Sequence, residues 1–404
     1  MERRTGFVIC AIAAAAFAAT GCDTLMTSTP TEGDDFTAPF DGMAMDLNAA
    51  FAEGDENFER VFTVADGLGP IFNNTGCESC HPGDGRGSPD LGFFRISEGL
   101  DPRPDLGGAQ IQDKAIPGHR PETVPPGIDK TFRLPPPVFG VGLIEGIPES
   151  TILAGSDPDD ADGDGISGRP NMVTAPAFVP ETHVGGGPGM HVGRFSRKGQ
   201  VASLLEQVAF AYQQDMGVTS DFIPEEIENR QLVGTLALGD LVPDPEISAS
   251  TVLTTIMYVR LLQPPARGEI TPEVERGDAV FAEIGCASCH TPTMRTGPND
   301  IPQLSEVDAN LYSDLLIHDM GAALADYRPD GDATGTEWQT APLWGTRLVA
   351  DFLNGEGVFL HDGRATSLED AIELHGGEAD ASKSRFQALA DGDRRALIAF
   401  LESL

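Results

Sequence analysis

The chain has little positive charge, few aromatic residues other than phenylalanine, and few cysteines. Its 404 residues include 26 Lys and Arg against 63 Asp and Glu. The resulting net charge of −37 excludes nucleic acid as a partner, because phosphate binding requires clustered cations. An anionic membrane surface is excluded for the same reason. The charge fits either a solvated, salt-adapted surface or a docking surface for a basic redox partner.

The chain also lacks an apolar run long enough to span a bilayer. Arg3 and Arg4 precede an apolar run from Gly6 to Ala19, which is typical of a secretory signal. The small residues before Cys22 resemble a lipoprotein cleavage box, although alanine stands where leucine is usual. We therefore expect a membrane-anchored lipoprotein of the periplasm or cell envelope. Cleavage nearby by ordinary signal peptidase is the alternative.

Two C-x-x-C-H strings stand about two hundred residues apart. The first comprises Cys77, Cys80 and His81, and the second comprises Cys286, Cys289 and His290. This spacing lets two thiols meet both vinyl groups of one porphyrin while the histidine ligates the iron. The strings share a phenylalanine five residues before the first cysteine, Phe72 or Phe281, and a glycine just before it. We therefore predict two covalently bound haem c groups. A redox dithiol or a zinc site is the alternative, and no further cysteine pair is present to complete a tetrahedral zinc site.

The six cysteines are then accounted for, because four attach haem, Cys22 carries lipid and Cys10 lies in the signal. None remains for a structural disulfide. Export agrees with haem c, which bacteria attach outside the cytoplasm.

Helical periodicity predicts a mainly α protein, and the many helix-breaking residues predict long irregular loops between the helices. The chain has 47 glycines and 31 prolines. Amphipathic or capped stretches predict helices at Ser203–Met216, Val252–Leu262, Glu273–Ile284 and Asp393–Leu404. Pro264 and Pro265 mark a boundary between two c-type cytochrome domains, each holding one covalent haem. The predicted segments are a signal peptide with lipobox (1–22), a flexible tether (23–48), an N-terminal haem c domain with loop insertions (49–265) and a C-terminal cytochrome c domain (266–404).

An acidic loop follows the first string, with the sequence DPDDADGDGISGRPN. Asp160, Asp162 and Asp164 with Gly165 fit the first half of a calcium loop, where oxygen ligands alternate and glycine allows a sharp turn. Asn171 stands where an EF-hand loop would place its final acid. The loop is either a structural calcium site or a solvated acidic turn.

Several strings from Gly54 onward resemble those of the di-haem oxidoreductase family, and they are DGDGISGRPN, QQDMGVTS, LLIHDMG, PLWGTR, FLHDGRA and HGGEA. That family is described as peroxidases, sometimes labelled thiol oxidoreductases, and it is related to di-haem cytochrome c peroxidases. The second half of the chain also resembles the C-terminal haem domain of those peroxidases. The resemblance implies a di-haem oxidoreductase of peroxidase-like reaction.

The resemblance also implies a sixth ligand for the second haem. In the peroxidases this ligand, usually methionine, lies fourteen residues after the histidine of an HDG string. Counted from His361, that position holds His375, which predicts bis-histidine coordination by His290 and His375. The alternative is that His375 is a surface residue and that Met320 or no residue ligates.

For the first haem, the sequence contains no matching sixth ligand. His119 and His191 are the nearest candidates, and an open sixth position is what peroxide binding requires. The family's distal glutamine and acid resemble Gln207 and Asp215, which could polarise and protonate peroxide. Their separation is two residues shorter than the family pattern, and two solvated polar residues on one helix are the alternative.

Two functions follow from this reading. In the first, electrons from a redox partner protein enter at the second haem and reduce a small oxidant such as hydrogen peroxide at the first. In the second, both irons are six-coordinate and the protein only carries electrons. Relatives carry a tryptophan between the haems, but Arg197 occupies that place here, which argues against a relay through this site. A dithiol oxidoreductase is disfavoured because haem attachment would occupy both thiols.

Overall fold

The computed structural model describes residues 35–404 apart from residues 86, 88, 108–109, 233–238, 354 and 356. The predicted signal peptide, Cys22 and the first part of the predicted tether therefore lie outside the described residues. Within the described ranges, no helix is both long and apolar enough to cross a membrane.

α-Helices are the main regular element of the described part of the chain, and the predicted helices are present with shifted ends. The α-helices are α1 (Met45–Glu59), α2 (Val141–Gly146), α3 (Glu149–Ala154), α4 (Leu204–Met216), α5 (Ala249–Leu261), α6 (Pro272–Glu283), α7 (Val349–Phe352), α8 (Leu368–Leu374), α9 (Asp380–Gln387) and α10 (Asp391–Leu401). Hydroxyl N-caps set the start of several of them. Ser203 accepts the Glu206 amide at the start of α4, and Thr271 accepts the Val274 amide at the start of α6.

The strands are short and pair only locally. They are β1 (Ile71–Phe72), β2 (Phe93–Ser97), β3 (Lys114–Ala115), β4 (Asp129–Arg133), β5 (Met172–Thr174), β6 (Met190–Val192), β7 (Met294–Arg295), β8 (Asp308–Ala309), β9 (Ile317–Asp319) and β10 (Glu337–Gln339). Within the described residues they form antiparallel pairs, β1 with β3, β2 with β4, β5 with β6, β7 with β8, and β9 with β10. These ribbons brace the loops that surround the helices.

Two helix pairs repeat the same packing in the two halves. Helix α1 packs on α5, and α6 packs on α10. A glycine lies at each crossing, where a Cβ on Gly54 would stand 2.6 Å from Cβ of Tyr258 and one on Gly277 would stand 2.6 Å from Cβ of Phe400. Both distances are shorter than real Cβ contacts allow, so close approach of the helices requires glycine at these positions.

The predicted boundary at Pro264 and Pro265 lies directly after α5, but it does not divide the apolar core. The first core includes residues from beyond the boundary, among them Leu304, Leu311 and Trp344. The second core is smaller and is built mainly from α6 and α10. The halves therefore have separate helix pairs and a partly shared core.

The predicted tether ends earlier than residue 48. Phe36 is 1% exposed and stacks on Phe139 with ring centres 4.6 Å apart. The next residues pair with the end of α5, where the Phe40 amide donates to the Leu261 carbonyl over 3.1 Å. Apolar burial and this pairing attach the chain to the body from Phe36 onward. The acidic, proline-containing composition on which the prediction rested did not reveal these contacts.

The glycine at the second crossing gives a stability test. We expect Gly277→Ala to lower the free energy of unfolding by about 1–3 kcal/mol, because the new methyl group meets the backbone of α10. Gly392→Ala is the matched control, since a Cβ there meets nothing within 4 Å. Its effect should stay within about 0.5 kcal/mol. Urea unfolding followed by circular dichroism measures both, and equal effects would contradict the packing account.

Candidate functional site

Both C-x-x-C-H strings line a single internal cavity. Its walls include Cys77, Cys80 and His81 from the first half and Cys286, Cys289 and His290 from the second. Most of the remaining lining is apolar and comes from α4, α8, β10 and the segment around Pro136. The two strings, far apart in sequence, thus face one interior space suited to a large flat apolar group.

His290 of the second string and His375, at the C-terminus of α8, line the cavity close to each other. The ring centres of His290 and His375 are 6.5 Å apart. Because a metal–imidazole bond is about 2.0–2.1 Å, two imidazoles that share one ion have ring centres roughly 6 Å apart. His375 is positioned by the C-terminus of α8, which it caps. The distance between the two ring centres therefore fits an iron held by His290 and His375.

Hydrogen bonds orient both rings for this role. His290 Nδ1 lies 2.9 Å from the Tyr312 carbonyl oxygen, and His375 Nδ1 lies 2.6 Å from the Ala371 carbonyl oxygen. A carbonyl accepts only, so each Nδ1 carries the proton and each Nε2 keeps a lone pair for a metal. Burial lowers the pKa of His290 to about 4 and also lowers that of His375. Both imidazoles are therefore neutral at pH 7, as iron ligation requires.

The first string is organised differently. Burial lowers the pKa of His81 to about 4, so this imidazole is also neutral. Its Nδ1 is buried and has no hydrogen-bond partner among the described residues. Across the same part of the chain, no histidine ring stands opposite His81 as His375 stands opposite His290. The two sites are therefore unequal in the ligands they offer.

A phenylalanine from the preceding helix packs beside each proximal histidine. Phe58 lies 6.2 Å from His81 and Phe281 lies 6.3 Å from His290, measured between ring centres. The sequence comparison had matched Phe281 with Phe72, but Phe72 belongs to β1. The true counterpart was visible in sequence as a shared G-D-x-x-F string, at Gly54–Phe58 and Gly277–Phe281. A different spacing between this string and the cysteines obscured it.

Within the described residues, Cys77, Cys80, Cys286 and Cys289 form no disulfide. Burial raises the pKa of Cys80 to about 11 and that of Cys286 to about 12. A thiol with so high a pKa is a poor nucleophile, because the thiolate is the reactive form. Dithiol exchange is therefore disfavoured at Cys80 and Cys286.

His318 is held between two carboxylates beside Cys289. Its Nε2 lies 2.8 Å from Asp314 Oδ2, and its Nδ1 lies 2.8 Å from Glu378 Oε2. Burial would lower the pKa of His318, but these hydrogen bonds outweigh it and raise the pKa to about 12. Cys289, Asp314 and His318 are close enough to hold a metal, but both ring nitrogens of His318 lie at hydrogen-bond distance from a carboxylate. The ring is therefore held as a hydrogen-bond donor to Asp314 and Glu378.

Helix α4 carries both predicted catalytic residues on the side that lines the cavity. Gln207 accepts a hydrogen bond from the Ser196 hydroxyl over 3.0 Å, and Asp215 accepts one from the Gln110 side chain. Their separation of eight positions corresponds to about 12 Å along the helix axis. Gln207 and Asp215 therefore cannot both contact one small oxidant. Burial raises the pKa of Asp215 to about 6.

The other histidines divide into two groups. The cavity lining contains His318 and His361 but neither His119 nor His191. His191 instead lies 3.4 Å from a Glu149 oxygen. The structure thus gives no support to either predicted ligand for the first haem. Met320, the alternative sixth ligand of the second haem, also lines the cavity.

A stacked pair on the cavity wall escaped the sequence reading. The rings of Trp338 and His361 lie 4.8 Å apart and 10° from parallel. Trp338 Nε1 donates to the Leu324 carbonyl over 2.9 Å. The chain has only two tryptophans, Trp338 and Trp344, and both line this cavity. The scarcity of tryptophan was the sequence feature that could have indicated a role for these residues.

The acidic loop brings together a slightly different set of residues from the predicted one. Carboxylate oxygens of Asp157, Asp160 and Asp162 lie within 4.8 Å of one another. Asp164 instead accepts the Ile166 amide over 2.8 Å. The loop is joined to the second site, because the Ser167 hydroxyl donates to Glu378 over 2.8 Å. Calcium binding here stays a prediction.

Comparisons with known proteins identify the type of chain. The family model described as "Di-haem oxidoreductase, putative peroxidase" matches residues 15–98 and 127–404. No curated protein matches. Among solved structures, hydrazine synthase of Kuenenia stuttgartiensis, pressurised with xenon, is 15% identical, with a TM-score of 0.39, covering 99% of this chain and 100% of that one. A MauG-like protein associated with microbial copper homeostasis is 14% identical, with a TM-score of 0.30, covering 66% and 88%.

The histidine pair gives a spectroscopic test. We expect His375→Ala to convert the second haem from low spin to high spin, because a strong-field axial ligand is lost. Electron paramagnetic resonance of the ferric protein measures the change. His183→Ala is the matched control, since His183 is exposed. A low-spin signal that persists in the His375 variant would remove the ligand assignment.

Proposed function

Because the chain belongs to the di-haem oxidoreductase family, we propose that it is an exported c-type cytochrome enzyme of peroxidase-like reaction. Electrons are taken up at the C-terminal haem and used at an open N-terminal haem to reduce a small oxidant such as hydrogen peroxide. The observation that carries the proposal is the inequality of the two histidines. His290 faces His375 at ligand distance, whereas His81 faces no comparable ring within the described residues.

The residues of the two strings fit covalent haem. Cys77 and Cys80 would attach one group, and Cys286 and Cys289 the other, with His81 and His290 as proximal ligands. The protonated, buried thiols and the neutral imidazoles are the states this chemistry needs. When bound, the haems supply electron transfer and an iron at which an oxidant can bind.

Side chains of the protein then orient the oxidant and exchange protons with it. Ser196 donates to Gln207 Oε1, which leaves the Gln207 amide group available to donate a hydrogen bond into the cavity. Asp215 lies two helical turns away, beside Cys80, where its charge raises the pKa of that thiol further. We assign Gln207 to contact with the oxidant and Asp215 to proton exchange at the cavity edge.

Several further features belong to the same proposal. Export and lipid attachment at Cys22 would place the enzyme in the periplasm or cell envelope. The net charge of −37 supports a basic redox partner as electron donor. The carboxylates of Asp157, Asp160 and Asp162 would bind calcium as a structural ion.

The pH dependence of peroxide consumption tests the proposal. The folded-state pKa of Asp215, about 6, lies above the ordinary aspartate value, so the carboxylate ionises as the pH rises through 6. The ionised form would first accept a proton from the oxidant and then return it to the leaving oxygen, so we expect the rate to rise across this range. Asp215→Asn should remove the rise and lower the rate at pH 7 by about 10²-fold or more.

Asp113→Asn is the matched control, because Asp113 is exposed close by and should leave the profile unchanged. Stopped-flow mixing of the reduced protein with hydrogen peroxide gives the rates. An electron carrier with two six-coordinate irons would not consume peroxide at any pH, and that result would contradict the enzyme proposal.

A further inference from the structure

A buried histidine joins two carboxylates beside the second string. His318 is 3% exposed, and its Nε2 lies 2.8 Å from Asp314 Oδ2 while its Nδ1 lies 2.8 Å from Glu378 Oε2. A neutral imidazole carries one N–H group and can donate to only one carboxylate, so donation to both requires the protonated ring. The three side chains therefore form a carboxylate–imidazolium–carboxylate triad, with a charge-assisted hydrogen bond at each end.

Asp314 connects the triad to the proximal side of the second site. Its backbone amide donates to the carbonyl of Cys289, the residue before His290, over 2.9 Å. The carbonyl that orients the His290 ring belongs to Tyr312, two residues before Asp314. One end of the triad therefore lies on the segment that holds the proximal histidine.

Glu378 connects the triad to the other side of the same site. It follows His375 by three residues. The turn between them lies against the end of β9, where a Cβ on Gly377 would stand 2.1 Å from the Asp319 carbonyl oxygen. The Glu378 carboxylate also accepts the Asp319 amide over 3.2 Å. The turn that carries His375 is thus tied to β9, the strand to which His318 belongs.

The end of the acidic loop covers the triad. Ser167 donates to Glu378 twice, from its amide over 3.0 Å and from its hydroxyl over 2.8 Å. The next residue packs on the imidazolium, since a Cβ on Gly168 would stand 2.4 Å from His318 Cε1. The Glu378 carboxylate therefore accepts four hydrogen bonds, which join the turn, the strand and the loop.

The energetics of such a triad favour a positioning role. A buried ion triad is a weak source of stability, because the desolvation of its charges offsets most of their attraction. Its charge-assisted hydrogen bonds are directional, however, and they add geometric specificity. Here they link the segment that holds His290 to the turn that carries His375.

We propose that the Asp314–His318–Glu378 triad is a clamp that holds His375 at ligand distance from His290, so that the second haem keeps two imidazole ligands. His318 and Glu378 are positioning residues, because they act on the iron through His375. The inference rests on the proposed function, since it requires haem at the second string with His375 as its sixth ligand.

The clamp determines how easily an added ligand displaces His375. Cyanide can bind the second iron only after His375 has left, so its apparent affinity there falls as His375 ligation becomes stronger. An open first iron binds cyanide without this competition. The first haem is therefore an internal reference in the same sample.

Cyanide titration of the full-length ferric protein, followed by electron paramagnetic resonance, tests the proposal. We expect Glu378→Gln to raise the cyanide affinity of the second haem about tenfold or more, because the glutamine amide group cannot accept hydrogen bonds from the donors it faces. The affinity of the first haem should not change. Glu369→Gln is the matched control, since Glu369 is an exposed residue of α8. Equal affinities of the second haem in the two variants would overturn the proposal.

His318→Gln provides a second test that does not depend on maturation of the first variant. It should raise the cyanide affinity of the second haem as well, because a neutral amide replaces the imidazolium that holds both carboxylates. In a His375→Ala background, Glu378→Gln should have no further effect, and an undiminished effect there would overturn the positioning role. A wild-type second haem that binds cyanide as readily as the first would defeat the proposed function itself. A second haem with two histidine ligands and unchanged affinity in both variants would defeat only the clamp.

Discussion

Close contact of two helices at a glycine is the constraint on which both halves of the structure depend. Gly54 lets α1 approach α5, and Gly277 lets α6 approach α10. One turn further along each first helix, a phenylalanine is held between the partner helix and the proximal histidine. Phe58 lies 5.3 Å from Tyr258, and Phe281 lies 5.2 Å from Phe400, between ring centres. The same local geometry therefore positions His81 and His290.

The halves diverge outside this shared unit, and the divergence gives them different chemistry. After α6 the chain reaches Cys286 almost at once, and α8 then places His375 opposite His290. After α1 the chain passes through irregular segments before Cys77, and the cavity wall there is formed by α4 and the 194–198 segment. These elements offer hydrogen-bonding and charged groups. Under the proposed function, the first arrangement would close an iron with a second imidazole, and the second would leave an iron open.

The sequence predicted the features that depend on local patterns. Four helices were located from local patterns, and the position of His375 after the HDG string pointed to a residue whose ring centre lies 6.5 Å from that of His290. The features that it missed depend on tertiary contacts between distant segments. No local sequence pattern indicates that Trp338 stacks on His361, or that His318 lies between Asp314 and Glu378. The match of Phe281 with Phe72 was wrong because equal spacing to the cysteines was taken as equivalence, whereas the helix packing selects Phe58.

The central claim is that both strings carry covalently attached haem, and a pyridine haemochrome assay of the exported protein tests it most directly. The assay should give two haems per chain, with the absorption of haem attached through two thioether bonds. Cys77→Ala with Cys80→Ala should leave one haem, and so should Cys286→Ala with Cys289→Ala. One haem or none in the wild-type protein would contradict the account.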